Sequence, residues 1–166
     1  MINVAILIVS DRSSRGERED ATGPLLSEYI SSLGWHVAAI EIVPDEAEMI
    51  KHYLVSWSDT PGIDIILTSG GTGFTPRDIT PDVTASVYEK PVPGLVEYMR
   101  MEGLRYTRHS MLSRAVAGIR KETLIINLPG SPTGAVQNLT IIHDVLPHAI
   151  DLLKQSPNAE HDHQSS

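Results

Sequence analysis

The chain predicts an α/β fold built on one doubly wound, mostly parallel sheet. Three observations carry this expectation. Ile2 to Val9 is apolar throughout after Asn3, the pattern of a strand covered on both faces, as in a parallel sheet. Similar runs then alternate with stretches of helical periodicity, which gives successive βαβ units with right-handed crossovers. The 166 residues, 41% apolar and 20% charged, suffice for one domain with a real core and are short for two.

The elements follow in order. The first strand ends at Ser10-Asp11-Arg12, and residues 11 to 23 read as a polar loop, longer than most βα connections. A helix begins near Asp20-Ala21-Thr22-Gly23-Pro24. Its stripe is Leu25, Leu26, Tyr29, Ile30 and Leu33, and Gly34 suits its C′ position. His36 to Val43 is a second strand, ending at Pro44-Asp45-Glu46. Met49, Ile50, Tyr53, Leu54 and Trp57 give a helix over Ala47 to Trp57, which Thr60-Pro61-Gly62 breaks. Ile63 to Ser69 is the third strand, and the three should pair in the local order 2-1-3. Thr80 reads as an N-cap and Pro81 as the first position of a helix running to Tyr88. After Lys90-Pro91-Val92-Pro93-Gly94 comes a helix from Gly94 to Leu104. Tyr106 to Ser113 has no clear period. Ala115 to Ile119 and Thr123 to Leu128 flank a turn short enough for an antiparallel hairpin. A helix carrying Ala135, Val136, Leu139 and Ile142 and a last one over Leu146 to Lys154 complete residues 1–155. The methionines and tryptophans are expected in the core or in helix packing. The polar segment 156–166, His- and Ser-rich, reads as a disordered tail.

Net charge is −8, which argues against a nucleic-acid binder or an anionic-membrane binder, because both need a basic face. A small anionic ligand needs only a local cluster. Six of the thirteen Lys and Arg residues are Arg100, Arg105, Arg108, Arg114, Arg120 and Lys121, so cationic charge is concentrated in one segment. With no cysteine, disulfides, thiolate metal sites and Cys nucleophiles are excluded. No membrane-spanning run and no leader pattern is present, so a cytoplasmic protein is the expectation.

The most informative stretch is Ser69-Gly70-Gly71-Thr72-Gly73, continuing to Arg77-Asp78. Three glycines in four residues let the backbone approach a ligand and let its amides face an anion. The alternative is a tight turn with a surface ion pair. Open parallel sheets bind ligands beyond the carboxyl ends of their strands. Ser10-Asp11, Pro44-Asp45, the glycine loop and Pro129-Gly130-Ser131-Pro132 are all strand ends, the last sharing the edge if its strand is parallel. Asp45 and Asp78 each follow a strand beside a turn, and two carboxylates with phosphate oxygens make an ordinary Mg²⁺ site. Against this, Asp45 suits a cap for the following helix and Asp78 suits a pair with Arg77. Ser10, Ser69 and Ser131 fit either hydrogen bonding to a ligand or turn formation. No Walker A loop, dinucleotide fingerprint, nucleophile elbow or paired-His metal motif occurs.

Ser69-Gly70-Gly71-Thr72-Gly73-x-x-x-Arg77-Asp78-x-Thr80-Pro81 resembles the signature of the Mog/MoaB family of molybdenum-cofactor biosynthesis, whose domain also occurs in gephyrin. Supporting stretches are Val9-Ser10-Asp11, Val43-Pro44-Asp45-Glu46, Met111-Leu112-Ser113-Arg114 and Thr123 to Pro132. The resemblance covers about Ile2 to Leu153 and implies a three-layer α/β domain, usually a homotrimer, that binds molybdopterin. In its adenylyltransferase branch AMP passes from Mg-ATP to the molybdopterin phosphate, and a molybdate-inserting enzyme takes the product. The resemblance makes Asp45 and Asp78 the catalytic and Mg²⁺-organising pair. It makes Gly70, Gly71, Thr72 and Gly73 the phosphate cradle. It assigns Ser113 and Arg114 to the pterin side and Gly130 and Ser131 to an adjacent loop, with Ser10 and Asp11 completing the substrate contacts. A MoaB-type binding paralogue with little catalysis and a non-catalytic scaffold are the other readings.

Overall fold

The computed structural model describes residues 1–155; the proposed tail at 156–166 lies outside the described residues. The strands are β1 Asn3–Val9, β2 His36–Val43, β3 Ile65–Ser69, β4 Lys90–Pro91, β5 Ala117–Arg120 and β6 Thr123–Leu128. The helices are α1 Asp11–Ser14, α2 Thr22–Ser32, α3 Ala47–Asp59, α4 Thr80–Val87, α5 Pro93–Gly103, α6 Pro132–Ile142 and α7 Leu146–Leu153, with a 3₁₀ turn at Arg108–Leu112.

The six strands form one sheet in the order β2-β1-β3-β6-β5-β4. β2, β1, β3 and β6 run parallel, and β5 pairs antiparallel with both β6 and β4. The local 2-1-3 order and the final hairpin are as the sequence predicts. Both faces are covered, which explains the unbroken apolar runs. Val4, Ile6 and Ile8 of β1 pack with Leu26 and Ile30 of α2 and Ala135, Leu139 and Ile142 of α6. Ala5, Leu7 and Val9, pointing the other way, pack with Ile50 and Leu54 of α3 and Val83 and Val87 of α4. Helices on two faces of one sheet make three layers.

The chain leaves β1 toward β2 on one side and returns to β3 on the other. The crevice of such a sheet opens at this reversal, beyond the carboxyl ends of β1 and β3. Because β6 is parallel to β3, the Pro129–Pro132 loop reaches the same edge.

Several local expectations are corrected. Residues 11–23 contain one helical turn, α1, because Ser10 Oγ caps it by accepting from the Ser13 amide at 3.2 Å. Thr80 is not the N-cap of α4; Ile79 holds that place and Thr80 is the first helical residue. Lys90–Pro91 is a short edge strand where the sequence shows only a break, and Pro is tolerated there because an edge demands no donor. Met101 and Met111, expected in packing, are 59% and 58% exposed. Among the described residues no helix is long and apolar enough to cross a membrane.

Candidate active site

Two neighbouring clefts lie at the carboxyl edge of the sheet, with the glycine loop between them. The larger, about 660 Å³, is lined by Ser10, Asp11, Asp45, Ser69, Gly70, Gly71, Asp78, Gly130 and Ser131 among others. The smaller, about 280 Å³, is lined by Thr72, Gly73, Ser113 and Ser131, with Tyr106, His109, Gln137 and Asn138. Every residue singled out above, except Arg114, thus lines one cleft or both.

The glycine loop is shaped by close backbone approach. Gly70 and Gly71 have φ of +107° and +65°. A Cβ on Gly70 would overlap the Val9 carbonyl oxygen, and one on Gly71 would overlap Thr80 Oγ1 and stand 3.0 Å from Asp45 Oδ1. Glycine is therefore required at both positions.

Asp11 and Asp45 hold one another's loops. The Asp11 amide donates to Asp45 Oδ2 at 3.1 Å, and the Asp45 amide donates to Asp11 Oδ1 at 3.0 Å. Asp45 is thus not a helix cap; Glu46 precedes α3 and makes no side-chain cap bond. Nor does Asp78 pair with Arg77. Arg77 Nε and Nη2 grip both oxygens of Asp11 at 2.8 and 2.7 Å, while Asp78 Oδ2 accepts from the Thr75 amide at 2.8 Å. The Asp11 partners lie far away in sequence, and local spacing carries no trace of them.

Burial pushes the Asp45 carboxyl above its ordinary range. The Asp11 amide opposes that rise, and the nearby Asp11 and Asp78 carboxylates add to it. Asp11 is held below its ordinary value chiefly by Arg77. A lowered carboxylate pKa stabilises the fold fully above the ordinary value of 3.8 and ceases to do so as pH falls through the lower folded value. Arg77→Ala is therefore expected to destabilise only slightly at neutral pH, as exposed pairs do. Its urea-unfolding curve should converge with the wild-type curve as pH falls below 3.8; a deficit unchanged at low pH would show that the ion pair is not its source.

The serines differ in role. Ser69 Oγ donates to the Pro129 carbonyl at 2.8 Å and is buried, so its hydroxyl ties the two loops together at the floor of the larger cleft. Ser131 caps α6 by accepting from the Gly134 amide at 3.2 Å and borders both clefts. Arg114 lines neither cleft. It donates to Gly73 O and Asp78 O and pairs with both oxygens of Asp82, bracing the glycine loop from behind. Four more residues of the cationic segment are similarly engaged: Arg100 binds the Ser113 and Ala115 carbonyls, Arg105 pairs with Glu102, and Arg120 and Lys121 pair with Asp59. The larger cleft draws its cations from Arg12, Arg18 and Arg77, which no concentration of charge in the sequence indicated.

Those three arginines face five carboxylates, Asp11, Glu19, Asp20, Asp45 and Asp78. An anionic ligand there needs added positive charge. Asp45 Oδ1 and Asp78 Oδ1 are the oxygens left open by the hydrogen bonds above. Among the described residues no group of three or more His, Asp or Glu is placed to hold a metal by itself. The donor set therefore fits a divalent ion carried in with phosphate oxygens, which complete its oxygen shell. The smaller cleft is different: apart from His109 its lining side chains are uncharged, and its hydroxyls and amides suit a polar heterocycle.

The family model described as "Probable molybdopterin binding domain" matches residues 5–148. Over 157 residues the chain is 41% identical to molybdopterin adenylyltransferase of Helicobacter pylori (strain J99), covering 92% of this chain and 88% of that protein. It is 39% identical over 153 residues to the molybdenum cofactor synthesis protein cinnamon of Drosophila melanogaster, covering 92% of this chain and only 26% of that longer protein. Among solved structures, the molybdopterin biosynthesis enzyme MoaB of Thermus thermophilus superposes with a TM-score of 0.89 at 51% identity, over 95% of this chain and 99% of that one.

Proposed function

The chain belongs to the molybdopterin-binding domain family, and on that premise we propose that it is a molybdopterin adenylyltransferase, transferring AMP from ATP to the molybdopterin phosphate. The observation that carries this reading is the glycine loop standing between a charged cleft and a neutral polar one. The charged cleft takes the nucleotide and the neutral one takes the pterin. Ser131, bordering both, lies where the two phosphates meet. A terminal phosphate oxygen of molybdopterin bonds to the α-phosphorus of ATP, the α–β bridging bond breaks, and pyrophosphate leaves with the electron pair.

Substitution at phosphorus between two anions needs alignment and charge neutralisation more than covalent help. Gly70 and Gly71 bring backbone within reach of phosphate without a Cβ in the way. Asp45 and Asp78 would hold the magnesium ion that accompanies ATP, which would supply neutralising charge to the reacting phosphates. Arg77 fixes Asp11, which fixes the Asp45 loop, so the acidic pair keeps its orientation without free rotation. Arg114 acts through the loop carbonyls and is a brace, not a pterin contact.

The proposed assembly is a homotrimer, for which exposed Met101, Leu104, Tyr106, Met111 and Leu112 offer apolar surface. We place the reaction in the cytoplasm, with the adenylylated product passed to a molybdate-inserting enzyme. The 51% identity to the Thermus MoaB structure favours a second reading, a pterin-binding paralogue with little turnover. Purified protein with molybdopterin, ATP and Mg²⁺ separates them. Adenylyl transfer gives pyrophosphate release that depends on molybdopterin; pterin binding without nucleotide turnover would leave the paralogue standing.

A further inference from the structure

Thr80 carries the only buried side-chain polar atom without a hydrogen-bond partner among the described residues. Thr80 is 0% exposed, and an unpaired hydroxyl there is a standing cost, since burial strips its water without replacing it. Its surroundings are otherwise fully satisfied. The Thr80 amide donates to Gly71 O at 3.1 Å, and Thr80 O accepts from Thr84 Oγ1 at 2.8 Å. Thr84 Oγ1 in turn accepts from Asn127 Nδ2, which also donates to Thr68 Oγ1. This buried chain of polar groups ends at the Thr80 carbonyl, beside the unpaired hydroxyl of the same residue.

That atom lies against the glycine loop. The position a Gly71 Cβ would occupy is bounded by Thr80 Oγ1 on one side and by Asp45 Oδ1, at 3.0 Å, on another. Asp45 Oδ2 is already taken by the Asp11 amide, so Oδ1 is the open oxygen. Both oxygens thus border the space left by the missing side chain of Gly71. We propose that Thr80 is a positioning residue for the proposed reaction: its hydroxyl donates to Asp45 Oδ1 in the nucleotide-bound protein, fixing the direction in which Asp45 presents its remaining lone pairs. The inference rests on the reading of the larger cleft as the nucleotide site. A hydroxyl that is buried, unpaired and set against the glycine loop is the feature expected of a contact made only in the loaded state, and Gly71 serves the contact as well as the phosphate.

The test compares Thr80→Val, which keeps the shape and removes the hydroxyl, with Thr80→Ser, which keeps the hydroxyl. Ligand-free melting temperature, Mg-ATP affinity by calorimetry, and kcat and KM are measured on the full chain. Thr80→Val is expected to melt at or above the wild-type temperature, because an unpaired buried hydroxyl has been removed. It should nevertheless lose about 10–100-fold in Mg-ATP affinity or kcat, the usual size for a residue that orients a metal-binding carboxylate. KM for molybdopterin should be unchanged, and Thr80→Ser should restore the lost function. Wild-type affinity and kcat in Thr80→Val overturn the inference, as does a loss that tracks a lowered melting temperature, which would make Thr80 merely structural. If the wild-type protein itself neither binds Mg-ATP nor releases pyrophosphate, the functional reading fails and takes this inference with it; an active wild type with an unaffected Thr80→Val overturns the inference alone.

Discussion

Asp78→Asn is expected to lower molybdopterin-dependent pyrophosphate release by about 10²–10³-fold, the scale seen when one preorganised electrostatic contact to a developing charge is removed. The geometry makes this a clean change. Asp78 Oδ2 accepts from the Thr75 amide at 2.8 Å, and an Asn oxygen accepts the same bond, so the loop keeps its shape. What disappears is the negative charge at Oδ1, which the proposed magnesium ion needs. The loss should therefore fall on kcat and on Mg-ATP affinity, with the melting temperature little changed. Asp82→Asn is the natural comparison. Asp82 sits in the same stretch, but both its oxygens engage Arg114 and it lines neither cleft, so its effect on kcat should be far smaller. Equal losses in the two variants, measured by steady-state kinetics, would show that general acidity of the loop matters and not a specific role for Asp78.

Which parts were legible in the chain depends on how local their causes are. The strand β1 was plain because burial on both faces leaves a continuous apolar run. The hairpin of β5 and β6 was plain because its turn is short. By contrast, α1 buries no residue, so it has no apolar stripe to reveal it; its Ser10 cap and the distant partners of Asp11 hold it. Thr80 was misread because Thr before Pro has strong cap propensity. Tertiary contact overrode that preference and turned its hydroxyl toward Gly71.

The site divides the same way. Glycines, strand ends and the two acidic residues mark themselves by type and by position in a doubly wound sheet. Their partners do not. Asp11 meets Asp45 and Arg77, and Arg114 meets Gly73, Asp78 and Asp82, across loops that come together only in the fold. Arg114 shows the consequence most sharply. The family resemblance assigns it to the pterin side; its guanidinium engages two loop carbonyls and the Asp82 carboxylate. The polar lining contributed by Gln137 and Asn138 leaves no mark in the sequence either, because the periodicity of α6 shows its apolar face and not what its other faces border.

Gly70→Ala is expected to destabilise the protein more than any other single-methyl addition in the loop. With φ at +107°, Gly70 lies where residues with a Cβ are strained by about 1–3 kcal/mol. The added methyl would also overlap the Val9 carbonyl oxygen, a backbone atom at the end of the central strand β1 that no side-chain rotation can move aside. On the other side Gly130 packs so closely that its own Cβ would stand 3.2 Å from Gly70 Cα, so the loop has no free direction of retreat. Gly16→Ala supplies the control: φ there is +72°, and nothing lies within 4 Å of the new methyl, so it should show conformational strain of about 1–2 kcal/mol alone. Gly70→Ala should exceed that by several kcal/mol, placing it in the large-effect class tied to backbone strain and overpacking. At about 2–4 °C per kcal/mol for a chain of this size, its melting temperature should fall well below that of Gly16→Ala, with nucleotide binding lost as the amides move. If the two variants melt together, the contact between the glycine loop and β1 is looser than these distances require, and the glycine loop owes its shape to Arg114 and Asp78 instead.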